Sequence, residues 1–459
     1  MLNTDHPTTA TVTAPTSVDD VLVVPGDAGW DAARQTFNLL HDQRPVAIAT
    51  PGSEREVAAA VRYAAAQRLT VTAQATGHNA GPLGSLENTL IINTSRLQGV
   101  RIDVANERVR VGAGVKWGAV TPRLSELGLA ALHGSSPDVG IVGYSLGGGM
   151  GWLARHYGLQ SNSVTAIELV TADGDLIRAD AVHEPDLFWA LRGGGGNFGI
   201  VTAIEFAVYP VTEVYAGTML FGFERASEVL RMWHAMLPYL PEEITSQASL
   251  MHIPDLPFVP DMIRGGSFVG VTAAFLGDEI QGQRLLAPIR DLGPVLDTFD
   301  VVAPAALGDL SMDPPEPLPY MSEHDLLGGL APRTIDELIA AVPRESGVVS
   351  FQLRHMRGAI GRAPSHAGSR GKLEGELAMF AVGVVPDPAF APILKDSLAG
   401  VKEAVRSHRL SAPYANFVEK PTDARAFYDA ATWSRLRSVK ALYDPSDLFR
   451  GNHHIPPSH

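Results

Sequence analysis

The chain contains no cysteine. That excludes disulfides, zinc–thiolate sites, iron–sulfur clusters and thiol catalysis, and leaves histidine, carboxylates, hydroxyls or a bound cofactor to carry any chemistry. It has no uninterrupted apolar run of the about 18 residues that a membrane helix needs, and its N-terminus lacks the basic-then-apolar order of a secretory signal, so a soluble, cytoplasmic protein is expected. Runs of lysine or arginine are also missing. With 36 basic against 50 acidic residues, the formal net charge is −14, a balance that repels phosphate backbones and anionic lipid, so neither nucleic acid nor membrane is an expected partner. What is present is globular: 45% hydrophobic and 19% charged residues over 459 positions, too many for one core, so two domains are expected.

Residues 1–20 are rich in Thr, Pro, Asp and Ala without an apolar period and read as an arm. Ser53 with Glu56 forms a capping box, and Val57, Val61 and Ala65 follow at helical spacing up to Gln67. Leu69 to Gln74 reads as a strand, then comes the glycine-broken segment Thr76-Gly77-His78-Asn79-Ala80-Gly81, then a strand around Leu90 to Asn93. Val100–Val104 and Arg108–Val111 read as a hairpin, and Trp117–Leu127 as a helix. The pattern is α+β. After Pro210 the texture changes to strands and helices separated by prolines, which places a boundary near Val211; Tyr428–Tyr443 reads as a helix and the tail from Phe449 to Ile455 as anchored chain.

Two motifs point elsewhere and fail their contextual tests. Gly194-Gly195-Gly196-Asn197-Phe198-Gly199 fits the dinucleotide fingerprint, which requires a strand before it and a helix after it. Here a helix (Asp186–Arg192) precedes and a strand (Ile200–Val208) follows. Gly143-Tyr144-Ser145-Leu146-Gly147 fits the nucleophile elbow of serine hydrolases, with Gly140–Val142 as its strand, but the elbow needs a helix after Ser145. Gly147, Gly148, Gly149 and Gly151 stand there instead, each costing about 1 kcal/mol of helix propensity relative to alanine. A hydrolase using Ser145 is the rival reading. In Gln74–Gly81, by contrast, successive backbone N–H groups in a glycine-rich turn form a nest suited to an anionic oxygen such as pyrophosphate, with His78 inside it.

Five segments together resemble the vanillyl-alcohol-oxidase superfamily of FAD-linked oxidases, in its berberine-bridge-enzyme-like and 6-hydroxynicotine-oxidase-like branch. They are Ala75–Asn79, Gly134–Gly140, Leu146–Gly151, Asp186–Gly199, and Tyr443–Pro445 with Phe449–Asn452. The resemblance implies a two-part FAD-binding domain (21–211, completed by 411–459) with an inserted antiparallel-sheet substrate domain (212–410), within which the stretch from about Val214 to Ser407 matches only loosely. It further implies covalent FAD attached through His78, oxidation of a small organic substrate, and reoxidation by dioxygen to hydrogen peroxide. A dehydrogenase with another acceptor and a member that keeps FAD as a structural element are the alternatives within the family.

By the same resemblance, the cofactor-binding positions are Thr76, Gly77, His78, Asn79, Ala80, Gly81, Ser136, Pro137, Val139, Gly140, Gly143, Tyr144, Gly147, Gly148, Gly149, Gly196, Asn197, Gly199, Val201, Asn452 and His453. Many relatives carry a second, cysteinyl link where this chain has Ser136, so only the histidyl link is open to it. Val139 matches a position where small side chains leave room for dioxygen. The alternation Phe351-Gln352-Leu353-Arg354-His355-Met356 puts Gln352, Arg354 and Met356 on one strand face and His355 on the other; the resemblance implies polar substrate contacts on such a strand, so Gln352 and Arg354 are candidates for them, the alternative being a pair within the sheet. Tyr414 and Asn416 match a Tyr-x-Asn pattern beside the flavin; Tyr414 is a base if its pKa of about 10 is depressed, and packing otherwise. No metal is expected from the tail histidines His453, His454 and His459, which lack a carboxylate pattern. A monomer or homodimer is expected.

Overall fold

A computed structural model describes residues 18–255 and 261–458. Most of the arm, and His459, lie outside these residues; the arm's last residues, Val18–Asp20, form a 3-10 turn with Val18 packed against the core, so the folded chain begins before residue 21.

The first part of the chain builds two sheets. In one, β1 (Leu22–Val23), β2 (Ala47–Ala49), β3 (Thr70–Gln74) and β4 (Thr89–Asn93) lie in the order β1-β2-β4-β3, with β4 parallel to both β2 and β3. The helix Glu54–Gln67 makes the crossover. Ser53 caps it by accepting from Glu56 N–H, a contact of about 1 kcal/mol. Arg68 ends it in the left-handed region, and Val57, Ala60, Val61 and Ala64 are buried. The other sheet is antiparallel, in the order β5 (Val100–Asp103), β6 (Arg108–Gly112), β9 (Ile200–Ala207), β7 (Val164–Val170) and β8 (Leu176–Asp180). The expected long helix from Trp117 is instead a 3-10 turn, Trp117–Ala119, followed by the helix Thr121–Glu126. Pro122 explains the break: it lacks an N–H and is tolerated only in a helix's first turn.

From Val214 the chain leaves these sheets for a third, antiparallel one. Its path is β13 (Leu296–Asp297), β10 (Val214–Gly222), β12 (Ser267–Phe275), β11 (Ile244–His252), β16 (Ser350–His355), β17 (Leu377–Val384) and β15 (Tyr320–Leu327), with β14 (Asp300–Val302) also on β10. One face is apolar (Met219, Ala248, Leu250, Val271, Leu353, Met379) and packs with residues of the helices Ala226–Met236, Glu279–Arg290, Pro332–Ala341 and Ala391–Ala404 in a second core. The chain then returns to the first core through Ala415, Phe427, Leu436, Phe449 and Ile455. The helix Ala430–Tyr443 locks this return: Lys440 and Asp444 are both fully buried, and Lys440 Nζ donates to Asp444 Oδ2 at 2.6 Å, Asn197 O at 2.7 Å and Phe449 O at 2.8 Å.

Arg155, 3% exposed, rivets the two cores together by donating to Ile244 O at 2.8 Å and Pro241 O at 3.1 Å, and also to Met356 O. Among the described residues no helix is long and apolar enough to cross a membrane, and no group of three His, Asp or Glu side chains is placed to hold a metal.

Candidate active site

β3 runs out at Gln74 and delivers the loop that carries His78. Gly77 turns that loop at φ +74°, and a Cβ there would lie 2.9 Å from Thr36 Cα, so the tight turn requires glycine. The His78 ring is held on three sides. It stacks on Phe37 with centroids 3.9 Å apart and planes 13° off parallel. Nδ1 meets Thr76 Oγ1 at 2.7 Å, and Nε2 meets Asp138 Oδ2 at 3.0 Å. Ser136 Oγ donates to the other Asp138 oxygen at 2.6 Å. Burial works against the Asp138 charge, but the hydrogen bonds from His78 and Ser136 outweigh it and hold the carboxyl below its ordinary range.

The glycines fall into three groups. A Cβ on Gly147 would overlap Asn416 Oδ1, one on Gly81 would overlap Glu419 O, one on Gly149 would lie 2.6 Å from the Tyr144 ring, and one on Gly199 2.6 Å from Leu169. These are glycines because the protein fills the space. Gly148, at φ +126°, serves the backbone turn. At Gly140 the nearest atoms to an added Cβ, Ala75 Cβ and Thr76 Cγ2, are 3.6 and 3.7 Å away, and at Gly143 and Gly196 nothing among the described residues beyond their own local backbone lies within 4 Å, so here the missing side chain leaves a cradle. Val139 is half-buried against the first core, with its carbonyl accepting from Trp117 N–H at 3.1 Å, while Pro137 O accepts from Gly118 N–H at 2.7 Å. Val201 pairs with Leu169 on one side, at the point where β6 has ended on the other.

Returning tail and loop meet beside His78. Asn452 donates to Asn79 O, Asn79 Nδ2 to Ala415 O at 3.4 Å, and His453 Nε2 donates to the same carbonyl at 3.1 Å. Burial lowers the His453 pKa to about 4. Among the described residues, Asn79 Oδ1 and His453 Nδ1 are buried polar atoms with no hydrogen-bond partner, and the buried Tyr414 hydroxyl has only the Gly149 and Met150 backbone beside it, which leaves its proton unplaced. Such atoms are costly unless something satisfies them. An amide, an imidazole nitrogen and a phenol are the donors and acceptors that a flavin ring and ribityl chain require, and with the open glycines they fit FAD. Asn197 differs. Its amide donates to Gly194 O and His453 O, at 2.8 and 2.9 Å, and its oxygen accepts from Gly451 and Ile455 N–H, at 3.2 and 3.0 Å, so its side chain is spent on the tail.

The opposite wall is the polar face of the third sheet. Cross-strand register sets Thr218, Thr272, Gln247 and Arg354 in one row, and Ser249, Gln352 and Phe380 in the next. Gln352 and Arg354 do share a face, and they pair: Arg354 donates to Gln352 Oε1 from Nε at 3.1 Å and Nη2 at 2.7 Å. The guanidinium lies 5.0 Å from the Phe417 ring centre and, among the described residues, has no carboxylate within 4 Å; burial lowers its pKa. His355 points the other way, to Arg155. A small cavity opens beside this sheet, lined by Ser135, Met150, Gly151 and Trp152 and by Thr245, Ser246, Gln247, Arg354, His355 and Ile360. A larger groove of about 420 Å³ lies on the outer face of the five-stranded sheet, but it contains none of these residues, and Arg108, Arg110 and Arg178 in it pair with Glu168 and Glu205.

Two expectations are corrected here. Burial raises the Tyr414 pKa, so the condition for a base is not met; Tyr414 N–H donates to His324 Nε2 at 3.0 Å, and Asn416 Nδ2 donates to Tyr144 O at 3.0 Å. Gly140–Val142 is no elbow strand: Ile141–Leu146 is a helix with Ser145 inside it, fully buried, its Oγ donating to Ile141 O at 2.7 Å.

The sequence reading missed Phe37, Asp138, Tyr320 and Glu419. Tyr320 OH reaches His78 O at 3.4 Å and Glu419 Oε1 at 3.2 Å, and Ser322 Oγ donates to Glu419 at 2.8 Å; burial pushes Glu419 up to about 7. Asp138, two places after Ser136 in a quoted motif, was recoverable as a carboxylate in the cofactor segment. Tyr320 stands 242 residues from His78 and carries no local signal.

A family model described as an FAD binding domain matches residues 45–180. The (R)-6-hydroxynicotine oxidase of Paenarthrobacter nicotinovorans is 30% identical over 96% of this chain and 98% of its own. The crystal structure of 6-hydroxy-D-nicotine oxidase from Arthrobacter nicotinovorans superposes with a TM-score of 0.83 at 26% identity, covering 97% of this chain and all of that one. Berberine bridge enzyme from Eschscholzia californica superposes at 0.80 over 95% and 97% of the two chains; at 20% identity that likeness concerns the fold alone.

Proposed function

The chain belongs to the FAD-linked oxidoreductases of the vanillyl-alcohol-oxidase and berberine-bridge-enzyme family, and from that premise we propose that it is an oxidase whose FAD is bonded covalently to His78. FAD supplies the chemistry that no side chain here has, accepting a hydride from the substrate and passing two electrons to dioxygen, which leaves as hydrogen peroxide. The chain's residues hold and orient. The loop Thr76–Gly81, with Ser136, Pro137, Gly140, Gly143 and Tyr144, cradles the cofactor through main chain and small side chains, and Asn452 and His453 close over it. Val201, Gly196 and Gly199 are assigned to the far end of the cofactor. Gln352 and Arg354 orient the substrate as one hydrogen-bonded unit, and Tyr414, kept protonated by burial, donates a hydrogen bond instead of taking a proton. Val139, half-buried beside this loop, leaves dioxygen its approach.

The observation that carries this reading is the His78 ring, clamped on one face and at both nitrogens in a glycine-turned loop. The substrate is proposed to be a small organic hydride donor, whether alcohol, lactol, amine or aromatic natural product, and the protein to work in the cytoplasm as a monomer or homodimer. Acid-precipitated protein is expected to stay yellow, and flavin reduced by light without oxygen to reoxidise in air. Flavin washed wholly into the supernatant would overturn the covalent bond; a reduced flavin indifferent to air would overturn the oxidase.

A further inference from the structure

A neutral imidazole carries one N–H and one lone pair, and the partner of each nitrogen decides which is which. Asp138, held ionised by the hydrogen bonds from His78 and Ser136, can only accept, so the proton of the His78 ring belongs on Nε2, 3.0 Å from Asp138 Oδ2. Nδ1 then carries the lone pair and accepts from Thr76 Oγ1 at 2.7 Å, a hydroxyl that can rotate away. Stacking on Phe37 fixes the ring plane. The ring thus has one contact easily given up, and it is on the nucleophilic nitrogen.

We infer that Asp138 is the positioning residue for flavin attachment: it keeps the ring proton on Nε2, presents Nδ1 as the nucleophile, and supplies the counter-charge when Nδ1 is alkylated. This rests on the covalent reading above. In the balanced step, a C–H bond of the flavin 8α-methyl breaks and a C–N bond to Nδ1 forms. The methyl proton and the ring's Nε2 proton are released, and the two electrons left on the flavin pass to dioxygen, giving one hydrogen peroxide per bond made. Until the second proton leaves, the alkylated ring is a cation, and it faces a carboxylate 3.0 Å away. An acceptor without charge in that place would orient the ring but not stabilise the cation.

The test uses the protein as expressed, in wild type, His78→Ala, Asp138→Ala and Asp138→Asn, and compares total bound flavin with the flavin that survives acid precipitation. At similar total flavin, the covalent fraction is expected to fall tenfold or more in Asp138→Ala and to be intermediate in Asp138→Asn, whose oxygen still accepts from Nε2. The flavin peptide cut from the wild type is expected, by NMR, to be joined through Nδ1. Full covalent loading of both Asp138 variants, or a bond through Nε2, would overturn this inference alone. Should the alanine variant fold poorly, the asparagine variant decides. Flavin lost by the wild type as readily as by His78→Ala would overturn the covalent reading as well.

Discussion

On the first core, what faces the cleft is largely main chain: the loop after β3, the glycines at 140 and 143, and the carbonyls of Ala415 and Asn79 that hold the tail. On the third sheet it is side chains, set in rows by register, with Gln247, Ser249, Gln352 and Arg354 standing across from one another. A wall of main chain has to be written in glycine, because only glycine lets backbone approach that closely, so it leaves motifs. A wall of side chains needs only alternation, which almost any sequence can supply and which says nothing about what it touches. The first wall is suited to a constant partner, the second to a variable one.

The largest expected effect breaks the first wall at its fastening. Lys440→Met leaves Asp444 buried and uncompensated, although Leu448 and Phe449 N–H still donate to it at 2.8 Å. Breaking a buried pair on one side typically costs about 3–5 kcal/mol. Urea melts should show that loss, and flavin should dissociate faster in any noncovalent background, because Asn452 and His453 travel with the tail. Unchanged stability would mean that the tail is held by its apolar contacts alone.

A smaller effect sits where the walls meet and has a pH signature. Glu419 has a folded pKa of about 7 against an ordinary 4.5, so the native state binds its proton more tightly than the unfolded one. Its burial costs nothing at low pH, and a penalty grows as pH rises from about 4.5 to about 7. Glu419→Gln keeps an oxygen acceptor for one of the Tyr320 and Ser322 hydroxyls, turns an amide N–H to the other, as the protonated acid does with its O–H, and removes the charge. It should be more stable than wild type above pH 7 by about 3 kcal/mol, and equal to it near pH 4. A difference that does not change with pH would show that Glu419 stays ionised throughout.

Altering the second wall should leave the first untouched. Arg354→Lys loses the forked contact with Gln352 and the stacking on Phe417. KM is expected to rise roughly tenfold, about 1.4 kcal/mol, with the flavin spectrum and thermal midpoint unchanged. A shifted flavin spectrum would instead place Arg354 in contact with the cofactor.

The same division explains what was legible. Helix Glu54–Gln67, strands β3 to β6 and the reversed helix–strand order around Gly194–Gly199 follow from caps, alternation and turn glycines, all local signals. The helix expected from Trp117 shortened because a proline sat inside an otherwise helical period. Phe37, Tyr320 and Glu419 reach His78 or its loop only through tertiary packing, and the direction of the Tyr414 shift depends on burial by residues from three separate segments, Met150, Leu326 and Met356 among them. No spacing encodes those.

The smallest expected effect tests the reading that the first wall excludes. Ser145 lies in a motif shaped like a nucleophile elbow, yet its backbone is helical, its side chain is fully buried, and its hydroxyl donates to Ile141 O four residues back. A nucleophile needs an exposed oxygen and a base within hydrogen-bond reach, and among the described residues the hydrogen bond of this hydroxyl goes to a helix carbonyl. Ser145→Ala removes that bond and leaves its acceptor within the helix ladder, so stability should change by no more than about 1 kcal/mol. Turnover and flavin content should match wild type. A loss approaching a millionfold, the scale for removing a triad serine, would require the helix to open in the working enzyme and would return the glycines after Ser145 to the role of a hydrolase turn.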